Sequence, residues 1–386
     1  MIRPPFRSPS FRWQALGWQA LGWQALALAA VALIIVMFTK NASQHLAARH
    51  IATGFGFLRE AAPIPIGESL LSYTPSVSSY GRAFLIGILN TLKVAIPGCL
   101  LATLLGTLIG IARISPIPLL ARLAAVYVEV LRDLPLLLQL LFWYGVFQTL
   151  PAPRQSFRPL AGVFLSNRGM RFPALAWQSG FGWILFAALA GIALAIVLAR
   201  ATALSPHRAR RLAAFLPIPL FPALVFAVTR PTIIIAWPAL HGFNFQGGMT
   251  ISPEYAALTT GLVLYTASYV AEIVRGGLIS VARGQWEAGA ALGLSRAAAL
   301  RLIVLPQALR LIIPPMTSQY LNLVKNSSLA VAIGYQDLVS IADTALNQTG
   351  QAIEGIGLIM AVYLTISLAI SLAMNLYNAR IARRTR

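Results

Sequence analysis

The sequence predicts an all-α integral membrane protein of about eight transmembrane helices, and three observations carry that prediction. Hydrophobic residues make up 58% of the 386 and charged residues only 10%, against roughly 25% charge in an ordinary soluble domain. Apolar runs near the ~20 residues needed to cross about 30 Å of hydrocarbon recur along the chain. The basic residues behind the net charge of +20 fall largely between those runs. Clustered Lys and Arg elsewhere would point to a phosphate-bearing partner; placed like this they point to membrane lipid and not to nucleic acid.

The predicted spans are 20–39, 84–112, 131–151, 181–199, 212–232, 255–274, 309–325 and 356–378. Arg3, Arg7 and Arg12 ahead of an apolar stretch have the first parts of a secretory signal, but the uncharged run from Trp13 to Thr39 is long enough to span and reads as retained. Trp13-Gln14-Ala15-Leu16, Trp18-Gln19-Ala20-Leu21 and Trp23-Gln24-Ala25-Leu26 repeat every five residues. Each step turns a helix about 140° past a full turn, so the indoles share no face, and the repeat is given no function.

Lys93 falls inside the second span, where snorkelling of its ammonium to the near interface is the simplest expectation. Cys99 is the single cysteine, which excludes an intrachain disulfide and any two-cysteine metal or redox motif. Two spans carry proline: Pro217, Pro219, Pro222 and Pro231 in 212–232, and Pro314 and Pro315 in 309–325. Proline removes a backbone donor and kinks a helix, tolerable in a membrane where neighbours or cavity water satisfy the freed carbonyls.

Orientation follows from the excess of Lys and Arg in cytoplasmic loops. With both termini inside, segments 1–19, 113–133, 200–211, 275–310 and 379–386 are cytoplasmic and hold 19 of the 30 basic residues. The external loop 152–172, with Arg154, Arg158, Arg168 and Arg171, runs against the rule. It is read as a solvated face first and a docking surface second. The chain divides into 1–82, an N-terminal span and external loop; 83–151, the first part of a core; 152–253, an inserted region with two extra spans; and 254–386, the second part of the core.

The informative stretch is the internal loop after the sixth span, 283–306. Gln285 to Leu292 are good helix formers, Gly293 suits a left-handed C-terminal cap, Ser295 can cap a following helix, and Pro306 precedes the next membrane crossing. Read from its residues, this is an amphipathic connector or, with its apolar ridge and one carboxylate, an elbow shaped to fit a partner's groove. Glu287-Ala288-Gly289, Gly293, Ile303, Leu305 and Pro306 resemble the EAA loop of ABC-type importer permeases. Gly289 departs from the usual Ala of that pattern, weakening the helix by up to about 1 kcal/mol.

The resemblance extends to Asn90-Thr91-Leu92, to Glu129 through Leu137 (EVLRDLPLL), to Ala271-Glu272-Ile273-Val274-Arg275 and to Lys325-Asn326-Ser327-Ser328-Leu329, landmarks similar to those of the polar amino acid subfamily. Together these cover about 83–150 and 254–386. The insertion 152–253, the region Gly54-Phe55-Gly56-Phe57-Leu58 and the run from Asn347 to Glu354 (NQTGQAIE) resemble the longer permeases of general L-amino acid or glutamate/glutamine/aspartate systems. The resemblance implies a five-helix core from spans two, three, six, seven and eight, in the bacterial inner membrane. It implies that Gln285, Trp286, Glu287, Ala288, Gly289, Gly293, Ile303, Leu305 and Pro306 couple the chain to an ATP-binding subunit dimer, with a second, related permease completing the path and a periplasmic amino acid binding protein delivering substrate. The chain itself holds no cofactor: no segment reads Gly, four residues, Gly-Lys-Ser/Thr, so ATP is expected on the partner subunit.

For the path, charges within spans nominate Glu272 and Lys325, with Tyr265, Thr266, Tyr269, Gln319, Tyr320, Asn322 and Asn326 as polar neighbours. Glu272 is also placed to pair with Arg275, three residues along the same helical face. A secondary transporter driven by an ion gradient is the alternative; it needs coupling carboxylates near the midplane, whereas Glu129, Asp133 and Glu272 fall near span ends. A membrane enzyme finds no metal-like spacing in His45, His50, His207 and His241 beyond the weak pair 45 and 50.

Overall fold

The computed structural model describes residues 22–34, 36–38, 40, 41, 44, 54–175, 181–201, 213–230, 232 and 234–384. The first two Trp repeats, Arg3, Arg7, Arg12, His45, His50, His207 and most of the basic loop 200–211 lie outside them. Helix is the dominant structure, as the composition requires. Among the described residues, five helices are long and apolar enough to cross a membrane: Tyr80–Ala112, Phe181–Ala199, Pro253–Ile279, Ala297–Ile333 and Ala352–Ile381. Gly22–Phe38, Leu136–Gln148 and Pro217–Thr229 are shorter apolar helices.

We label the helices α1 (Gly22–Phe38), α2 (Tyr80–Ala112), α3 (Pro118–Asp133), α4 (Leu136–Gln148), α5 (Phe181–Ala201), α6 (Pro217–Thr229), α7 (Pro253–Ile279), α8 (Arg283–Ala291), α9 (Leu305–Asn326), α10 (Leu338–Thr349) and α11 (Ala352–Arg384). Two expectations about spans are corrected. The stretch 131–151 does not form one helix, because Pro135 forces the residue before it out of the α region: Leu134 is extended at φ −84°, ψ 128°. α3 therefore occupies most of the segment expected as an internal loop, and α4 has 13 residues. Likewise 212–232 yields only the 13 residues of α6, which starts at Pro217 and ends at Arg230 in the left-handed region. In α9 the helix runs through Pro314 and Pro315.

The chain forms two compact units, residues 1–93 with 336–379, and residues 94–335 with 380–386. In the first, Phe57, Ile64, Tyr80, Phe84, Ile86, Leu338 and Ile341 are buried together. Buried Asn90 donates from Nδ2 to the carbonyls of Glu68 (3.0 Å) and Gln336 (2.9 Å), and buried Thr91 accepts from the Leu338 amide. Lys93 does not snorkel. Its ammonium meets the Glu68 carboxylate at 2.5 Å, and both side chains are under one-fifth exposed; a local carboxylate satisfies the charge better than a stretched stem reaching for water. Gly54 and Gln348, from the two regions that resemble longer permeases, also bond here, to Glu354 and Tyr80.

In the second unit α7 is the central element: fourteen of its residues are buried. Val94, Leu136, Leu140, Leu258, Leu262, Ala330 and Ile333 form one apolar cluster. The approach of α2 to α7 depends on two glycines one turn apart. A Cβ on Gly106 would lie 2.5 Å from Val270 Cβ and one on Gly110 would lie 2.6 Å from the Ala271 carbonyl oxygen. Small residues at this spacing let helices pack backbone to backbone in lipid. Buried Gln139 donates to the carbonyls of Leu131 and Leu134, closing the end of α3 across the Pro135 break.

The inserted region adds strands that the sequence reading did not anticipate: β1 (Phe157–Leu160), β2 (Val163–Ser166), β3 (Gly169–Phe172), β4 (Ala174–Leu175), β5 (Ile235–Ala236), β6 (Ala239–His241), β7 (Asn244–Gln246) and β8 (Met249–Ile251). A four-stranded antiparallel sheet has the order β1-β2-β3-β8, and β4-β5 and β6-β7 form two-stranded ladders. β8 leads directly into α7, whose N-terminus is capped by the Ser252 hydroxyl accepting from the Tyr255 amide.

Candidate functional site

The elbow forms where the sequence places it. α8 ends in a double closure, with the Leu294 amide on the Gly289 carbonyl (3.0 Å) and the Gly293 amide on the Ala290 carbonyl (2.9 Å). This pairing satisfies carbonyls that a helix end otherwise leaves open, and it needs a left-handed residue; Gly293 supplies it at φ +72°. Ser295 then starts the next turn, accepting the Ala298 amide on its hydroxyl. A short helix (Arg296–Ala299) and a π turn (Leu300–Val304) run into α9.

The departure at Gly289 has a structural reason. Gly289 is buried, and a Cβ there would sit 3.1 Å from Ala299 Cβ and 3.2 Å from Ile303 Cδ1. Glycine thus brings the two arms of the elbow together, and Ile303 is its half-buried counterpart. At the base, Gln307 donates to Gln285 at 3.0 Å, while Pro306 occupies the first turn of α9 beside exposed Leu305. Outward, α8 presents Glu287, Ala288 and Ala290, followed by Leu292 at its C-cap, all exposed, Leu292 at 76%. Trp286 and Glu287 also border a largely apolar groove of about 1000 Å³ with Leu108, Ile111, Leu120 and Leu300.

Further along α7, Glu272 receives hydrogen-bonded ion pairs from two arginines. Arg275 is the partner its spacing suggested, and Arg113, just past the end of α2, is a second that sequence reading did not find. The pair ties two membrane helices whose residues are 159 positions apart in sequence, a separation no local spacing rule reaches. The same cluster borders a polar cavity of about 430 Å³ with Glu129, Arg132, Asp133 and Tyr269. The Arg132 guanidinium lies over the Tyr269 ring at 4.9 Å, and the Tyr269 and Tyr265 hydroxyls are 3.1 Å apart.

The remaining residues nominated for a path are spread over α7 and α9. Thr266 is buried. The Tyr320 hydroxyl shares a 2.8 Å hydrogen bond with Thr103 of α2. Gln319 and Asn326 are half-buried, and Asn322 and Lys325 are exposed. Tyr265, Tyr269 and Glu272 therefore share one face and one neighbourhood, whereas Lys325 has its place at the opposite end of α9 from the elbow.

Comparison with known proteins gives four matches. Residues 209–386 match the family model described as the inner membrane component of binding-protein-dependent transport systems. The chain is 47% identical over 349 residues to the general L-amino acid transport system permease protein AapQ of Rhizobium johnstonii, covering 89% of this chain and 87% of the relative. It is 38% identical over 389 residues to the glutamate/glutamine/aspartate/asparagine transport system permease protein BztB of Rhodobacter capsulatus, covering 91% of each. A solved amino acid ABC transporter superposes with a TM-score of 0.47 at 23% identity, over 78% of this chain and 95% of that one.

Proposed function

The chain belongs to the polar amino acid permease family of ABC-type, binding-protein-dependent transport systems, a family of multi-pass inner-membrane proteins that transport and are not enzymes, and we propose that it forms half of the translocation path of an importer for polar or general L-amino acids. The observation that carries the coupling mechanism is the elbow: a rigidly capped nine-residue helix, held by Gly289 against its own return arm, that turns a carboxylate and an apolar ridge outward. An ATP-binding subunit dimer would receive it, since no phosphate-cradling loop occurs in the sequence. ATP would stay on that partner, with no cofactor on this chain. A second, related permease would supply the other half of the path, and a periplasmic binding protein would deliver the amino acid.

In this reading both termini are cytoplasmic, and closure of the ATPase dimer displaces α8. The displacement passes along the short return arm into α9 and along the end of α7 to the Glu272 cluster, switching access from outside to inside. Glu287 orients the elbow and Trp286, Ala288 and Gly293 shape it. Tyr265, Thr266, Tyr269, Glu272, Gln319, Tyr320, Asn322, Lys325 and Asn326 are the proposed path residues. An ion-gradient mechanism has no support from the relatives, which are named as transport system permease proteins.

The test is a cross-link. Leu292→Cys in a Cys99→Ser background, expressed with the ATPase subunit of the same system, is expected to cross-link to it, and ATP with vanadate is expected to change the yield. A Leu292→Cys chain that assembles with the ATPase but labels only lipid-phase reagents would refute the assignment of the elbow.

A further inference from the structure

The basic loop that breaks the charge rule is folded: it forms three of the four strands of the sheet in the inserted region. We propose that this arginine-bearing cap is the docking platform for an acidic face on the external binding protein. The proposal rests on the importer reading and adds to it where that partner lands.

From Leu134 to Pro253 the sequence contains no Asp or Glu. The cap carries Arg154, Arg158 and Arg168 exposed and Arg171 half-buried, and among the described residues none of the four takes part in an ion pair. Arginine on the external side opposes the orientation bias of a membrane protein, so four uncompensated there call for a use.

The arginines are also preorganised. The Arg154 guanidinium stacks 4.1 Å from the centre of the Phe243 ring and donates from Nε to the Gly242 carbonyl. Arg158 lies 5.3 Å over Phe164, and Phe164 itself packs at 4.5 Å against buried Phe245. Arg171 donates from Nη1 to the Gly247 carbonyl at 3.2 Å. A guanidinium has five donors, so each keeps several for a carboxylate while its stem is already fixed, which reduces the ordering cost of binding. Phe157 and Leu160 flank Arg158 on β1 and are 56% and 70% exposed; aromatic residues and Arg together are what protein interfaces enrich.

Leu175 and Ile235, exposed at 60% and 49%, pair on the β4-β5 ladder, whose strands lie just before α5 and just after α6 in sequence, and they suit a headgroup interface. The arginines named above sit instead on or beside the sheet whose β8 strand runs straight into the capped start of α7. A partner seated there bears on the core helix that leads to the elbow.

The experiment uses the assembled transporter in discs of zwitterionic lipid and measures its association with the amino acid binding protein of the same system, loaded with L-glutamate. Complementary charge acts mainly on association rate and is screened by salt. For the wild type, association is expected to slow by about tenfold or more between low and high salt. Arg154→Glu with Arg158→Glu and Arg168→Glu is expected to lose about tenfold or more at low salt, to flatten the salt dependence, and to leave dissociation nearly unchanged. The corresponding Lys variants should keep most of the rate, and Arg168→Glu alone, at an exposed turn, should show a smaller loss without perturbing the sheet. Wild-type association rates and salt dependence in the Glu variants would overturn the proposal, as would a defect absent from the zwitterionic discs and seen only in a parallel set of discs that contain anionic lipid. Failure of the wild type to respond to any binding protein would count against the importer reading instead.

Discussion

Replacing Gly106 by Ala is expected to destabilise the protein, although the same change at Gly276 is expected to stabilise it or do nothing. Both glycines lie inside membrane helices, α2 and α7, and Gly in a helix interior ordinarily costs roughly 0.5–1 kcal/mol relative to Ala. Gly276 has nothing within 4 Å of an added Cβ, so the propensity gain should appear undiminished. At Gly106 the added atom would stand 2.5 Å from Val270 Cβ and 2.7 Å from the Ala267 carbonyl oxygen. Carbon atoms pack at about 3.5–4.0 Å, so α2 must retreat by about 1 Å or bend. Overpacking of this kind typically costs about 1–3 kcal/mol, which exceeds the gain. Val270→Ala should rescue little, because its Cβ and the Ala267 carbonyl both remain. The assay is unfolding in mixed micelles, followed by tryptophan fluorescence. If both Ala variants shift the midpoint upward alike, the close packing of α2 on α7 is refuted.

Asp337 is fully buried, accepts the Ser340 amide and the Tyr363 hydroxyl, and burial pushes its carboxyl up from 3.8 to about 6. The folded protein thus holds a proton that the unfolded chain releases, so this group's contribution is present below about pH 4 and is lost as pH rises through about 6; at about 1.36 kcal/mol per unit the upper bound is about 3 kcal/mol. Asp337→Asn, which keeps a capping acceptor, should flatten that part of the melting-temperature profile. Asn90→Ala removes the buried donor of two part-buried hydrogen bonds and is expected to cost about 1–3 kcal/mol, read as a lowered melting temperature; an unchanged melt would sink the role of that bridge. Glu287→Lys, and Gly293→Asp with its added left-handed cost of about 1–2 kcal/mol, should abolish ATP-driven uptake while membrane insertion persists. Uptake at the wild-type rate in either would remove the elbow from the mechanism.

The elbow was legible because its logic is local: glycine at a left-handed position, a hydroxyl two residues beyond, and good helix formers before it. The apolar runs were legible for the same reason. What was not legible depends on neighbours distant in sequence. Lys93 reads as a snorkelling charge until Glu68 is beside it, and Arg113 reads as a loop cation until it meets Glu272. Gly106 and Gly110 carry a signal in the sequence, small residues four apart in an apolar helix. So does the break at Leu134-Pro135, since the residue before a proline is pushed out of the α region. The strands escaped because they are two to four residues long, too short for alternation to register, with only the Gly-bearing turns between them as a mark.

The most direct test of the account is uptake of radiolabelled L-amino acids into vesicles containing this chain, its partner permease and the ATPase subunit, with and without ATP, the binding protein and Glu287. The account requires uptake that needs all three. Uptake by this chain alone, driven by a proton or sodium gradient and indifferent to ATP, would contradict it.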